Sequence, residues 1–171
     1  MDGMAKYLSL ELHFLQVVWG RYFFMVMISL PIIYFFFKKH LKWPNNFSLQ
    51  FLRSIFLFLS TILFFYAISV ISLAKSLTLA FISPIIVTLL SSLLLKERVG
   101  IHRWSAVIVG FIGAMIVIQP GIIKINFATL AGLGTGIAYA FYIISTRRLS
   151  STDNPYLTLF FTGLFGAIII S

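Results

Sequence analysis

The chain has 171 residues, of which 60% are hydrophobic and 10% are charged, and its mean hydropathy is +1.04. A soluble domain carries about 25% charged residues, so this composition excludes an ordinary soluble domain. The chain contains no cysteine, which excludes disulfide bonds and thiolate metal sites within it, and its formal net charge is +9.

Six charge-free intervals of 16 to 22 residues divide the chain at regular spacing. A helix needs roughly 20 residues to cross about 30 Å of hydrocarbon, and the repeated spacing excludes a lone signal peptide. The intervals and their flanks predict helices at 14–37, 49–70, 76–95, 103–119, 127–146 and 155–171. The sequence therefore predicts an all-α polytopic membrane protein, surrounded by membrane lipid, with about six transmembrane helices.

The two ends of the chain lack complete helices in this pattern. Residues 1–13 are too short to cross a membrane and are typical of the end of an earlier helix. Residues 155–171 stop within an apolar run, which would place a terminal carboxylate in hydrocarbon. We interpret the chain as a fragment of a longer protein; the alternative is a half-size protein completed by forming a homodimer.

Ionisable residues near the first complete helix are candidates for a solute pathway. Asp2 and Lys6 are four residues apart, so they share a helix face and can pair with each other or contact a charged solute. Arg21 lies at or inside the membrane edge of the helix at 14–37. For Asp2, Arg21 and Lys75, which opens the helix at 76–95, the alternative role is snorkelling to lipid headgroups.

The helix at 76–95 combines a central proline with one small, polar face. On a helical wheel, this face carries Ser76, Ala80, Ser83, Pro84, Thr88 and Ser91. The opposite aliphatic face suits lipid, so the hydroxyl face should meet other helices or a wet cavity. Pro84 frees the Ala80 carbonyl, which neighbouring hydroxyls or water can satisfy. Pro84 is either a kink that improves packing or part of a bent wall that lines a solute pathway.

The next two predicted helices carry small residues at four-residue spacing, which lets helix backbones approach closely. These helix-packing candidates are Ala106, Gly110, Gly113 and Ala114 in one helix, and Ala128, Gly132, Gly136 and Ala140 in the other. The glycines of AGLGTGIAYA do not predict a nucleotide site, because no strand precedes them and no acidic partner follows. Tyr139 and Tyr142 of the same helix either stack on a solute or fill space.

Catalytic and metal-binding patterns are missing from the sequence. The four acids lie outside complete predicted spans, the three histidines have no metal-ligand spacing, and no Gly-x-Ser-x-Gly turn is present. The sequence therefore predicts no enzyme activity, no metal and no other cofactor.

The basic residues are distributed unevenly between alternate loops. Nine of the 13 lysines and arginines fall in or beside the loops near 38–53, 96–103 and 147–153, and four fall on the other side. This asymmetry predicts that those three loops face the cytoplasm. It also argues against a nucleic-acid partner, since the charge follows the membrane topology.

Several segments resemble EamA-type transporters of the drug/metabolite transporter superfamily. SLTLAFISPIIVTLLSSLLLKERVGIHRWSAVIVGFIGAMIVIQPG (76–121) resembles the last two helices of the family's first repeat, with a mid-span Ser-Pro, a Lys-Glu-Arg end and a Pro-Gly stop. DGMAKYLS is similar to the end of the first helix, and WGRYFF to the start of the second. AGLGTGIAYAFYIISTRRLSS is similar to the first helix of the second repeat.

The resemblance implies a ten-helix fold of two inverted five-helix repeats. Residues 1–126 would form the first repeat without most of its first helix, and residues 127–171 would begin the second. The solute cavity would be walled by the helices that start at Arg21, Ser76 and Phe127. Lys75 departs from the family pattern, because the family tends to have a small or acidic residue at this position.

We therefore expect a secondary transporter that moves a small polar, amino-acid-like metabolite across the cytoplasmic membrane by alternating access. The resemblance implies coupling to a proton or to another solute. The rival hypothesis is a non-transporting membrane assembly or signalling subunit. The substrate-pathway candidates are Asp2, Lys6, Arg21, Ser76, Ser83, Pro84, Thr88, Tyr139 and Tyr142.

Overall fold

The computed structural model describes residues 2–37, 46–94, 100–118, 126–150 and 155–171. These residues form helices joined by short connections, and no strand occurs among them. In chain order the helices are α1 Asp2–Glu11, α2 Phe14–Ile32 with a π-helical continuation Ile33–Phe37, α3 Phe47–Val70, α4 Leu73–Ala80, α5 Ser83–Leu94, α6 Ile101–Ile118, α7 Phe127–Ser150 and α8 Pro155–Ile170.

Four stretches are long and apolar enough to cross a membrane: Phe14–Phe35, Phe47–Val70, Leu73–Leu94 and Phe127–Ser150. Two shorter apolar helical stretches, Trp104–Gly113 and Leu157–Ile170, accompany them in the described part of the chain. The predicted multi-pass, all-helical class is confirmed, and six apolar segments lie where the sequence predicts them. Four of the six, rather than all, reach spanning length, and the ten-helix inverted repeat stays a prediction.

Residues that flank the helices account for several of their start points. The His13 Nδ1 atom accepts a hydrogen bond from the Leu15 amide at 3.4 Å at the start of α2. At α7 the Asn126 Oδ1 atom accepts from the Thr129 amide at 2.9 Å. These side chains satisfy amides that have no partner within the helix. Pro155 opens α8, where its missing N–H costs no helical bond.

The single helix predicted at 76–95 is divided into α4 and α5 by a turn at Phe81 and Ile82. The Phe81 amide still donates to the Leu77 carbonyl at 3.0 Å, whereas the Ile82 amide donates to the Leu79 carbonyl, three residues back. Pro84 has no N–H to offer the Ala80 carbonyl, so the regular hydrogen-bond ladder ends here. The proline therefore coincides with a break rather than a mild bend.

The small residues of α7 lie against this break. A Cβ atom on Gly136 would come within 2.4 Å of Ile82 Cγ2 and 2.9 Å of the Ala80 carbonyl oxygen. A Cβ on Gly132 would come within 2.7 Å of Leu79 Cδ1. Only glycine at both positions lets α7 approach the α4–α5 connection this closely.

The small residues of α6 have a different environment. Ala106, Gly110 and Gly113 are exposed, and no atom of the described residues lies within 4 Å of a Cβ built on either glycine. The side chain of Ala114 falls outside the described set. A packing role for this ridge stays a prediction, since the described helices do not cover it.

The protein core is centred on α3, which packs most extensively against α7 and also contacts α8, α2 and α1. One buried cluster joins Val18 and Tyr22 of α2 to Phe65 and Ile68 of α3. Many large apolar side chains remain exposed on the outer helix faces, such as Phe35, Ile116 and Leu93. In a membrane these faces contact lipid without the cost that they would carry in water.

Candidate solute-binding site

A cavity of about 320 Å³ lies between the start of α1, the middle parts of α2, α3 and α7, and the connection where α4 ends and α5 begins. It brings together residues far apart in sequence. The lining residues are Asp2, Arg21, Leu57, Ser60, Thr61, Phe64, Leu77, Ala80, Phe81, Ser83, Thr135 and Tyr139. Four of these, Asp2, Arg21, Ser83 and Tyr139, were predicted from the sequence as pathway residues.

The cavity contains side chains of opposite charge. Asp2 opens α1, and Arg21 lies two turns into α2, so each charge comes from a different helix. The Arg21 guanidinium carbon also lies 6.0 Å from the centre of the Phe65 ring, which supports the cation with an aromatic face. Charged groups at membrane depth are costly unless they face a cavity or a partner. The arrangement suits a ligand that carries both charges.

Hydroxyl groups on α3 and α7 form a polar wall of the cavity. Ser60 Oγ donates to the Thr135 carbonyl oxygen at 3.3 Å, which links the two helices. Thr61 Oγ1 accepts from the Tyr22 hydroxyl at 3.1 Å and donates to the Leu57 carbonyl at 2.8 Å. The lining residues Ser60, Thr61 and Thr135 were not singled out from the sequence. For Ser60 and Thr61 the reason is that α3 is so apolar as a whole. Their spacing does carry a signal: positions 57, 60, 61 and 64 share one helix face.

The cavity does not include the other predicted pathway residues. Lys6 Nζ donates to the backbone carbonyl of Ile68 and, at 3.3 Å, to that of Ile71, so it binds the carboxyl end of α3. Ser76 is buried and donates to the Ser72 carbonyl of its own helix at 3.2 Å. The hydroxyl of Thr88, also buried, donates to the Pro84 carbonyl at 2.7 Å.

Pro84 is exposed and does not line the cavity. Its effect on the cavity is indirect, because Ala80, Phe81 and Ser83, which flank the break, are lining residues. The polar residues of α5 therefore have two different environments. Ser83 lines the cavity, and Thr88 is buried by packing against neighbouring helices.

Arg53 of α3 is buried, with 5% of its surface exposed, and is surrounded by neutral hydrogen-bond acceptors. Its Nε donates to Thr146 Oγ1 at 2.8 Å, and its Nη2 donates to the Tyr142 hydroxyl at 3.1 Å. Its Nη1 donates to Thr162 Oγ1 at 2.6 Å and to the Thr158 carbonyl at 3.3 Å. One guanidinium thus connects α3, α7 and α8.

The Arg53 network adjoins the cavity through two stacked tyrosines. The guanidinium carbon of Arg53 lies 4.8 Å from the centre of the Tyr142 ring. The Tyr142 ring stacks on Tyr139 with centres 5.5 Å apart and planes at 29°. Tyr139 lines the cavity, so a continuous aromatic contact runs from the cavity to the buried cation.

The sequence interpretation counted Arg53 among the basic residues in or beside the loop near 38–53, and the structure places it inside α3 with its side chain buried. Arg53 lies six residues after the start of α3 and points into the helix packing. It borders the charge-free interval from residue 54 onward, so charge counting alone groups it with the cytoplasmic loop. A hint was present in Gln50 and Ser54, which place polar groups beside it on the same part of the helix.

No metal site was predicted, and within the described ranges no three histidine, aspartate or glutamate side chains come together. The residues that line the cavity can bind a ligand through charge, hydroxyl groups and an aromatic face.

An apolar multi-helix protein with a polar, charged cavity is typical of solute carriers, and sequence comparison agrees with that class. The EamA-like transporter family matches residues 3–119, more than half of the chain, and the chain belongs to that family. Because the family consists of transporters, the match also agrees with the prediction that the chain is not an enzyme.

Two kinds of named transporter are similar to the chain. An S-adenosylmethionine uptake transporter of Rickettsia bellii is 27% identical over 168 residues, which cover 98% of this chain and 57% of that protein. A riboflavin transporter of Vibrio cholerae is 29% identical over 170 residues, covering 95% of this chain and 57% of that protein. The chain thus spans somewhat more than half the length of these relatives. No solved structure matches it significantly.

Proposed function

We propose that the chain forms the solute-binding part of a secondary transporter in the cytoplasmic membrane, moving a small amino-acid-like metabolite by alternating access. The observation that carries this proposal is the cavity of about 320 Å³ that Asp2 and Arg21 both line. Cavities that bind small molecules have volumes of roughly 300–1,000 Å³ and combine apolar walls with a few polar groups.

The charges and the aromatic ring of the cavity favour a particular solute chemistry. An amino-acid group carries an ammonium, which pairs with Asp2, and a carboxylate, which pairs with Arg21. Tyr139 offers a half-exposed ring on which a planar heterocycle can stack. S-adenosylmethionine has all three features, and some relatives are named for its uptake. Riboflavin, the solute named for other relatives, offers the heterocycle and hydroxyl groups without the amino-acid group.

Alternating access requires a wall that can rearrange on one side of the bound solute. The α4–α5 break supports this proposal, because its flanking residues Ala80, Phe81 and Ser83 line the cavity and the break has fewer helical hydrogen bonds than its surroundings. Discontinuous helices at solute sites are a recurrent feature of secondary transporters. If transport is coupled to a proton, Asp2 is the carboxylate at the cavity that can carry it.

Transport by proteoliposomes containing the protein expressed from its complete reading frame tests the proposal. We expect saturable uptake of radiolabelled S-adenosylmethionine, with riboflavin as the second solute. Asp2→Asn and Arg21→Gln should each raise the KM for S-adenosylmethionine about tenfold or more, since each removes one charge-assisted contact. Lys75→Gln serves as the control, because Lys75 is exposed and does not line the cavity.

Absence of flux for these two solutes and for a broad panel of amino acids and their derivatives would contradict the proposal. A stable protein partner that co-purifies with the inactive protein would then favour the assembly or signalling hypothesis.

A further inference from the structure

Arg53 is a buried cation whose partners, in the described part of the chain, are all uncharged. Its four hydrogen bonds go to three hydroxyl groups and one backbone carbonyl, and its planar face lies over Tyr142. The acids among the described residues are Asp2 and Glu11, both on α1, whereas the Arg53 contacts come from α7 and α8. Among the described residues, the positive charge is therefore surrounded by dipoles and has no acidic partner.

Such an arrangement lets an incoming anion compete with the neutral groups that now contact the guanidinium. Burying a cation without a counter-ion is costly, and neutral hydroxyl partners recover only part of that cost. A carboxylate forms two parallel, charge-assisted bonds with a guanidinium, each stronger than a bond to a neutral hydroxyl. The threonine and tyrosine hydroxyls are thus partners that a carboxylate can displace.

Arg53 lies on α3, the helix that also supplies part of the cavity wall. It precedes the cavity-lining Ser60 by seven residues on α3, or roughly 10 Å along the helix axis at about 1.5 Å per residue. It lies toward the end of α3 that the distribution of basic residues predicts to be cytoplasmic. The stacked Tyr139 and Tyr142 rings connect the cavity with the guanidinium.

We propose that Arg53 is a second binding site for the carboxylate of the transported solute, used when the solute leaves the cavity toward the cytoplasmic side. In the arrangement of this structure the hydroxyls of Thr146, Thr162 and Tyr142 occupy the guanidinium. When the carboxylate binds, it replaces these hydroxyls and thereby loosens the contacts that hold α7 and α8 to α3. This inference rests on the proposed function, since it assigns a further recognition step to the same transporter.

The test compares two solutes that differ by one carboxylate: S-adenosylmethionine and its decarboxylated form. KM values are measured for each in proteoliposomes containing the protein from its complete reading frame. We expect the unaltered protein to favour S-adenosylmethionine at least about tenfold. Arg53→Gln should reduce this preference by about fivefold, mainly through a higher KM for the carboxylate-bearing solute, and the preference that remains comes from Arg21. Arg53→Lys should retain an intermediate preference, because it keeps the charge without the planar fork.

Thr162→Val provides the matched control. It removes one acceptor that Arg53 uses in this structure but leaves the guanidinium in place. The preference for the carboxylate-bearing solute should therefore persist in this variant, whatever its transport rate. If Arg53→Gln does not yield folded protein, the preference for S-adenosylmethionine is compared between Arg53→Lys and Thr162→Val. A smaller preference in Arg53→Lys supports the inference, and equal preferences contradict it.

Two results would overturn the inference in distinguishable ways. If Arg53→Gln and Arg53→Lys lower transport of both solutes equally and keep the preference, Arg53 is a structural link between helices and the proposed transport function stands. If the unaltered protein transports neither of these solutes, nor riboflavin, nor any amino acid or derivative of the panel, the proposed function fails, and the second binding site fails with it.

Discussion

At Gly136 the backbone of α7 lies against the backbone of the α4–α5 connection. The position of a missing Cβ is 2.9 Å from the Ala80 carbonyl oxygen, the atom that Pro84 deprives of its helical donor. A freed carbonyl in a membrane helix needs either a polar partner or close coverage by neighbouring protein. From the sequence we expect neighbouring hydroxyls or water at the Ala80 carbonyl, and the structure places Gly136 of α7 beside it. A proline on one helix is thus matched by a glycine on another.

Replacing Gly136 by a larger residue should destabilise the fold, whereas replacing an exposed glycine should not. We expect Gly136→Ala to lower the free energy of unfolding by about 1–3 kcal/mol, because the added Cβ overlaps Ile82 and the Ala80 carbonyl. Gly110→Ala is the matched control, since a Cβ there meets open space. The measurement is the midpoint of thermal unfolding of the detergent-purified protein. Similar midpoints for the two variants would show that the close approach at Gly136 does not stabilise the fold.

At the scale of helices, the pairing of α4 and α5 determines the shape of the cavity. Each is too short to cross the membrane alone, but together Leu73–Leu94 has spanning length. Ala80, Phe81 and Ser83 are presented to the cavity where the two helices meet. The break thus supplies lining residues, although Pro84 itself is exposed.

We expect Pro84→Ala to reduce the transport rate more than the yield of folded protein. Alanine at this position restores an N–H that can bond to the Ala80 carbonyl, so α4 and α5 can merge into a straighter helix and withdraw lining residues from the cavity. The membrane-facing surface changes little, which preserves insertion and folding. Initial transport rates divided by the amount of monodisperse protein measure the effect. Equal losses in rate and yield would mean that the break serves packing alone.

Across the whole molecule, the distribution of basic residues predicts a single orientation in the membrane. The residues that link α5 to α6, and those after α7, belong to the predicted cytoplasmic side, whereas the start of α4 belongs to the opposite side. This assignment also places Arg53 on the predicted cytoplasmic half of α3, between the cavity and the cytoplasm.

Cysteine labelling of intact cells tests this orientation, because the chain has no cysteine of its own. Lys75→Cys and Ile101→Cys introduce single thiols at exposed positions on opposite predicted sides. With other cysteines of the complete reading frame replaced by serine, a membrane-impermeant maleimide should label position 75 in intact cells and position 101 only after permeabilisation. The reverse pattern would invert the topology and with it the side assigned to Arg53.

The sequence by itself determined the class of the protein and the positions of its helices. Spanning about 30 Å of hydrocarbon demands a run of apolar residues of fixed length, and that requirement is local along the chain. The helix starts at Phe14 and Pro155 agree with it closely. The break at Pro84 is equally local, since the missing N–H belongs to the proline itself.

Only the tertiary structure decided which polar residues meet. Asp2, Arg21 and Tyr139 converge on one cavity, whereas Lys6 turns to the end of α3. The hydrogen-bond partners Tyr142 and Thr162 lie 89 and 109 residues from Arg53 in the sequence. Such contacts depend on how each helix is rotated about its axis and on how closely neighbouring backbones approach. Helix packing sets both quantities, and the distribution of apolar residues along a single membrane helix leaves them open.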